Sequence, residues 1–260
     1  MNTLNSIRDC LKFNTVSADK QALPEAGIPA LITRGILHIW SAWYSDLDRY
    51  YPILSGLISS EEAFKAAGFK KPGDKQKFIL RHGMTRAVLG EYIQRDPRMV
   101  RLAGEGNGKP NLCPEGNVHD IRFSLSRTDE MACLGISREF SIGVDIVKND
   151  PFYPFLATAG YLFTPGEREW IEQTTPHEQH IRFFRIWSLK EALLKATGSD
   201  VGIMKNTDVS GIMTKHFLDG LYPVSVRKKE LLFFIHESVC GRGHHCTLAT
   251  LPVTDTGLQN

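Results

Sequence analysis

TPHEQHIRFFRIWSLKEALLKATG, residues Thr175 to Gly198, decides how the rest of the chain is read. Thr175 and Glu178 have the spacing of a capping box, and Pro176 falls at the first helical position, where its missing N–H costs nothing. Gly198 follows the last periodic residue, the place for a left-handed cap. The stretch is predicted to be one long helix. On it Phe184, Trp187, Glu191, Leu194 and Lys195 recur three or four residues apart and share a face. A glutamate among Phe, Trp and Leu requires a cation, a metal or a donor, because burying it alone is very costly. Two plainer readings stand beside this one. Glu191 and Lys195 also have the spacing of a surface i,i+4 pair. Ser188 and Glu191 have that of a second capping box, but the helical periodicity of FFRIW argues against a helix start there.

At 260 residues the chain is one large domain or two small ones, long enough for a substantial core. Lys and Arg exceed Asp and Glu by 31 to 29, so no nucleic-acid partner is expected. Five scattered cysteines without a C-x-x-C pair predict reduced thiols in a cytoplasmic setting rather than a disulfide framework. No basic segment leads into an apolar run at the N-terminus, and LLFFI at 231–235 is far too short to span a bilayer. A soluble protein with no membrane partner is expected.

Residues 1–35, with Pro24 and Pro29, read as an irregular extension. Ile36–Trp40 alternates and predicts the first strand. Ser59–Ala67 reads as a serine-capped helix, Lys70–Lys77 as a basic loop broken by Pro72 and Gly73, and Lys77–Ile93 as a second helix. Met99–Ala103 reads as a short strand. The loop GEGNGKPNL at 104–112 lacks the first glycine and the final Ser/Thr of a phosphate loop, where Ala103 and Pro110 stand instead. Ile121–Ser126, Met131–Ser137 and Ser141–Val147 predict adjacent antiparallel strands. Phe152–Phe163 is an aromatic connection, Thr164, Pro165 and Glu167 open a helix running to about Gln173, and Tyr222–Val226, Leu231–His236 and Cys246–Leu251 return to strands. GRGHHC at 241–246 lacks the ligand spacing of a structural zinc site and reads as a turn. Asp145 interrupts an apolar strand, on the same face as Gly143 and Val147. A carboxylate there is either edge-exposed or a ligand.

Asp145 in GVDIV, then F-T-P-x-E, then Glu191 and Lys195 in WSLKEALLK form an order that resembles the 4′-phosphopantetheinyl transferases, specifically the surfactin-type, double-length branch. GKPNL at 108–112 is similar to that family's G-K-P segment, FSLSRT at 123–128 to its F-N-x-S-H-S segment, and LFTPGE at 162–167 to its F-S/T-x-x-E segment. The helix with Gly83 and Arg86 resembles the family's arginine-containing helix, and SEEAFKAAGF at 60–69 the basic helix before it. Each segment is weak alone; their common order carries the resemblance.

The resemblance implies an α/β (α+β) fold of two similar, pseudo-twofold-related α/β halves, here an N-terminal half over residues 36–125 and a C-terminal half over 126–260. It implies transfer of the 4′-phosphopantetheine arm of coenzyme A to a serine of an apo acyl- or peptidyl-carrier domain, releasing 3′,5′-ADP. The alternative is a degenerate, non-catalytic protein that binds coenzyme A or a carrier domain. Mg²⁺ on Asp145 and Glu191 would suit a pyrophosphate substrate, since this ion takes carboxylate oxygens, waters and phosphate. Asp145, Glu191 and Lys195 are the implied catalytic residues, with Glu191 or its water as proton acceptor and Lys195 offsetting pyrophosphate charge. Lys65, Arg86, Lys109, Pro110, Ser126, Arg127, Lys190 and Lys195 are the implied coenzyme A contacts. Three positions depart from the family pattern. Val147 stands where a second acid is common, so water, Thr128 or Asp129 would complete the metal. Arg127 replaces the histidine of S-H-S, and His82 an arginine.

Overall fold

A computed structural model describes residues 4, 7–17, 35–104, 109–117 and 119–252. Pro24, Pro29, Gly106, Gly108 and the chain end beyond Pro252 lie outside them. The chain divides into two compact units, residues 1–122 with 127–139, and residues 123–126 with 140–260.

In the first unit β1 (Lys12–Ser17), β2 (Ile36–Trp43) and β6 (Met131–Ser137) lie antiparallel in that order. Part of the expected irregular extension is therefore a paired strand: Lys12 to Ser17 runs against Ser41 to Ile36. KFNTVS carries too few apolar residues to announce itself, and pairing is imposed by its neighbour. Every residue of β2 and of β6 is buried, so neither shows the in–out alternation of a half-exposed strand. Short helices α1 (Tyr44–Leu47) and α2 (Tyr51–Ser55) lead to α3 (Ser60–Ala67) and α4 (Pro72–Tyr92). Ser59 and Glu62 form the reciprocal capping box of α3. Pro72 opens α4 at its first turn rather than breaking a loop, which its fixed φ and absent N–H permit. Gly83 lets α4 cross α2 closely, since a Cβ there would stand 2.5 Å from the Leu54 carbonyl oxygen. Only Leu102–Ala103 (β3) of the expected strand forms, paired with Asn111–Leu112 (β4); Met99 sits in a 3-10 turn.

The second unit holds the middle of β5 (Arg122–Arg127) and a five-stranded antiparallel sheet. Its order is β7 (Phe140–Lys148), β11 (His244–Pro252), β10 (Lys229–Gly241), β9 (Asp219–Val226), β8 (Thr207–Asp208). The expectation that β7 continues a local run of adjacent strands is corrected. It pairs with β11, a hundred residues on, with Asp145 opposite Thr247. A strand buried on both sides, as β7 is from Gly143 to Val147, carries no pattern that names its partner.

Helices α5 (Phe155–Leu162), α6 (Pro165–Glu172) and α7 (Pro176–Thr197) follow β7. The predicted long helix is α7, closed by Gly198 in the left-handed conformation at φ 69°. Its start differs in one detail. Thr175 makes no side-chain cap bond, and the Thr174 hydroxyl donates to Glu178 at 2.5 Å instead. Phe183, Ile186, Leu189 and Leu193 of α7 fill the core, with Phe163 stacked 5.1 Å from Phe183. The aromatic connection splits in two: Phe155 and Phe163 pack on this core, whereas Phe152, Leu156 and Tyr161 are exposed.

Candidate active site

The site begins with a glycine. A Cβ on Gly143 would fall 1.8 Å from the Ala192 carbonyl oxygen and 2.6 Å from the Ala196 nitrogen, so only glycine lets β7 press against α7 here. Asp145, two residues on, thereby meets the α7 turn that carries Glu191 and Lys195. Ser188 ties helix to strand from the other side, donating toward the Asp145 carbonyl at 3.4 Å and contacting the Thr247 hydroxyl at 3.1 Å.

Asp145 is 5% exposed. Its Oδ1 accepts from Lys195 Nζ at 2.6 Å and from the Ser126 hydroxyl at 2.8 Å. Lys195 also donates to the Val144 carbonyl at 3.1 Å, and Ser126 accepts from the Ile146 N–H at 3.2 Å. One carboxylate oxygen is thus fully engaged. The other, Oδ2, is buried and has no hydrogen-bond partner. A buried polar atom left alone costs about 1–3 kcal/mol, more when charged, and calls for a reason. Beside it, burial pushes the Glu191 carboxyl above its usual range, the Asp145 charge pushes it further the same way, and Lys195 opposes both.

A buried carboxylate with an unmatched oxygen, beside a second carboxylate whose proton affinity it raises, fits a hard divalent cation. Asp145 and Glu191 would supply its protein oxygens. No group of three or more His, Cys, Asp or Glu able to hold a metal occurs among the described residues, so any such ion would complete its shell with water or substrate. Val147, at the position of the missing acid, belongs to the apolar core. The Thr128 hydroxyl is engaged by the N–H groups of Glu130 and Met131, and Asp129 stands exposed, 3.8 Å from Lys77.

The remaining expected contacts separate cleanly. Lys190 is corrected. It is wholly buried, donates to Glu167 at 2.5 Å and offers no surface to a coenzyme. Successive residues of α7 are turned by about 100° around its axis, so Lys190, adjacent to Glu191 in sequence, falls on a different face. Arg86 is corrected likewise: it is 3% exposed and donates to Glu62 and to the Val100 carbonyl, both at 2.6 Å. Glu62, wholly buried, also takes bonds from the Ser59 N–H and His82, and these donors hold its carboxyl down to about 2 against the cost of burial. Lys65 and Arg127 are exposed, and Lys109 and Pro110 half-buried.

Several residues escaped the sequence reading. Glu167, known only as a motif letter, accepts from the Thr164 and Val209 N–H groups as well as Lys190. Glu237 accepts from Arg185, His245 and the Leu218 N–H, partners that lie 52, 8 and 19 residues away. Gly143 could have been found, because a glycine inside an apolar strand marks a close backbone approach.

A sequence model of the 4′-phosphopantetheinyl transferase superfamily matches residues 141–249, which contain β7, α7 and the whole carboxylate pair. The chain is 27% identical over 174 residues to the 4′-phosphopantetheinyl transferase HetI of Nostoc sp., covering 67% of this chain and 73% of that one. It is 29% identical over 162 residues to the putative 4′-phosphopantetheinyl transferase slr0495 of Synechocystis sp., covering 61% and 65%. It is 25% identical over 146 residues to the 4′-phosphopantetheinyl transferase Sfp of Bacillus subtilis, covering 56% and 62%. The matched stretch thus spans from somewhat under two thirds to nearly three quarters of these relatives.

Proposed function

We propose, from the superfamily model that matches residues 141–249 and from the relatives named above, that the chain is a 4′-phosphopantetheinyl transferase and moves the 4′-phosphopantetheine arm of coenzyme A to a serine of an apo acyl- or peptidyl-carrier domain. The surfactin-type, double-length branch is the one its motif order fits. The observation that carries the reading is the unpartnered Oδ2 of buried Asp145 beside a second carboxylate.

Mg²⁺ held by Asp145 and Glu191 would supply charge neutralisation at the pyrophosphate. Lys195 and Ser126 keep Asp145 oriented by occupying its other oxygen. As the serine Oγ–P bond forms, the P–O bond to the leaving 3′,5′-ADP breaks and the serine proton passes to Glu191 or to a water it holds. Lys65, Lys109 with Pro110, Ser126, Arg127 and Lys195 stand as the contacts of the coenzyme in this reading; Arg127 stays charged across the neutral range and presents a fork suited to phosphate. Lys190 and Arg86 serve the fold instead.

Carrier docking is assigned to Phe152, Leu156 and Tyr161, three large apolar side chains exposed within ten residues of chain, since contiguous exposed apolar surface marks interfaces. No described helix is long and apolar enough to cross a membrane, and a cytoplasmic setting accords with the widely spaced cysteines. The test is intact mass spectrometry of several apo carrier proteins incubated with coenzyme A, Mg²⁺ and this chain. A mass gain of one phosphopantetheine, lost on chelation, is expected; unmodified carriers in every case would overturn the reading.

A further inference from the structure

In the first unit, α3 turns its acid inward and its aromatic outward. Its inner side buries the Glu62 carboxylate and Ala66, and the donors on Glu62 from Ser59, His82 and Arg86 account for that side. On the outer side Ala63 and Ala67 lie one turn apart with Phe64 beside them, all exposed, and Phe64 is 83% exposed. A helix that gives its apolar residues to water presents them to a partner.

This face runs on into a cationic turn. Every residue from 67 to 75 is exposed, and a Cβ on Gly73 would meet nothing within 4 Å. Phe69, 41% exposed, rests on Phe78 with ring centroids 5.3 Å apart, so its place is fixed. Between Ala63 and Lys77 stand five lysines and one acid, Asp74. Lys77 lies 3.8 Å from Asp129, and Lys65 is a coenzyme contact in the reading above. Lys70, Lys71 and Lys75 remain, exposed and without an ion pair among the described residues. Lys71 and Lys75 are one turn apart, the Lys75 N–H donating to the Lys71 carbonyl at 3.2 Å, and share a side of α4. The apolar surface assigned to carrier docking differs, since residues 151–166 hold no charged side chain. A partner of the α3–α4 corner is selected by negative charge as well as by apolar contact.

We infer that this corner binds the surface of an anionic bilayer, with Phe64 and Phe69 entering the headgroup layer and Lys70, Lys71 and Lys75 facing lipid phosphates. A ring that stands free suits a fluid layer, which needs no preformed pocket, better than the surface of a folded acidic protein. Lysines close to such a layer add their attractions, and a short surface helix enters it without any spanning segment.

The test is co-sedimentation of the full chain with vesicles of phosphatidylcholine, alone or with about 30 mole per cent phosphatidylglycerol. Binding to the anionic vesicles is expected, weakening steeply as salt is raised. Phe64→Ser should weaken it about tenfold through the lost apolar contact. Lys70→Gln, Lys71→Gln and Lys75→Gln together should weaken it by about tenfold or more, and the exposed positions leave the thermal midpoint in place. No sedimentation with anionic vesicles, equal partition to both vesicle types, or wild-type partition of the variants would overturn the proposal. Wild-type partition joined to a raised carrier KM would hand the corner to an acidic protein and overturn it too. The vesicle readings use neither coenzyme A nor a carrier, so their failure is distinct from a failure of the transfer reaction.

Discussion

Two buried carboxylates in the second unit each meet a lysine of α7, and they end in opposite states. Glu167 is saturated: Lys190 and the Thr164 N–H reach one oxygen, and the Val209 N–H the other. Asp145 is half spent, with Lys195 and Ser126 on Oδ1 and nothing on Oδ2. Both ion pairs are short, at 2.5 and 2.6 Å. Distance therefore does not separate a fully bonded pair from one that keeps an unpartnered oxygen. The remaining hydrogen-bond capacity does: the saturated pair rigidifies the core, and the other keeps an oxygen for a further partner.

The largest effect should come from breaking the saturated pair. Lys190→Met leaves Glu167 buried without its cation and should cost about 3–5 kcal/mol of stability by denaturant unfolding. Adding Glu167→Gln should recover part of that loss. A loss below about 1 kcal/mol for Lys190→Met would deny the pair its structural role.

His38 in the first unit sharpens the comparison, since it too has one satisfied and one orphaned atom. Tyr92 accepts from Trp40 Nε1 at 2.9 Å and so donates to His38 Nδ1, while Nε2 is buried without a partner. No second titratable group is among the causes that push its pKa down to about 4; burial alone does so. An orphaned atom by itself is a strained core position. The sign follows from the folded state disfavouring the proton. Stability is full above about pH 6.5 and falls by about 3 kcal/mol as pH drops toward 4. Glu62 and Glu237, each held down to about 2, add their own loss below about 4.5. Urea midpoints between pH 7 and 4.5 should slope in the wild type and flatten in His38→Gln. Equal slopes would show that another group titrates.

Glu191→Gln keeps the shape and removes the charge. Transfer should drop about 100-fold, near 2.7 kcal/mol, with unfolding midpoints almost unchanged. Transfer at the wild-type rate would remove Glu191 from the reaction. The smallest effect belongs to the surface. Phe152, at 93% exposure, contributes nothing to the core, so Phe152→Ser should raise the carrier KM about fivefold, near 1 kcal/mol, and leave the coenzyme A KM alone. An unaltered carrier KM would move the docking surface elsewhere.

What the sequence made legible followed from period and spacing. The 22 residues of α7, its glycine cap and the strand bearing Asp145 are local patterns, and local patterns survive in the structure. Lys190 and Arg86 were misread because a motif names a residue type without the face on which it falls. One position along a helix is a turn of about 100°, enough to put Lys190 in the core and Glu191 at the site. The Arg185–Glu237–His245 cluster was invisible, as β10 and β11 must pair before those side chains share a space. β7 hid its partner for the same reason.

The central claim is that the unspent oxygen of Asp145, with Glu191, holds a divalent cation. Thermal unfolding with Mg²⁺ titrated in the presence of coenzyme A tests it most directly. A ligand at a hundredfold excess over its Kd stabilises by about 2.7 kcal/mol. The wild type should rise by several degrees and Lys190→Met by as much from a lower baseline, whereas Asp145→Asn with Glu191→Gln should not respond. A double variant that Mg²⁺ stabilises as strongly as the wild type would contradict the claim.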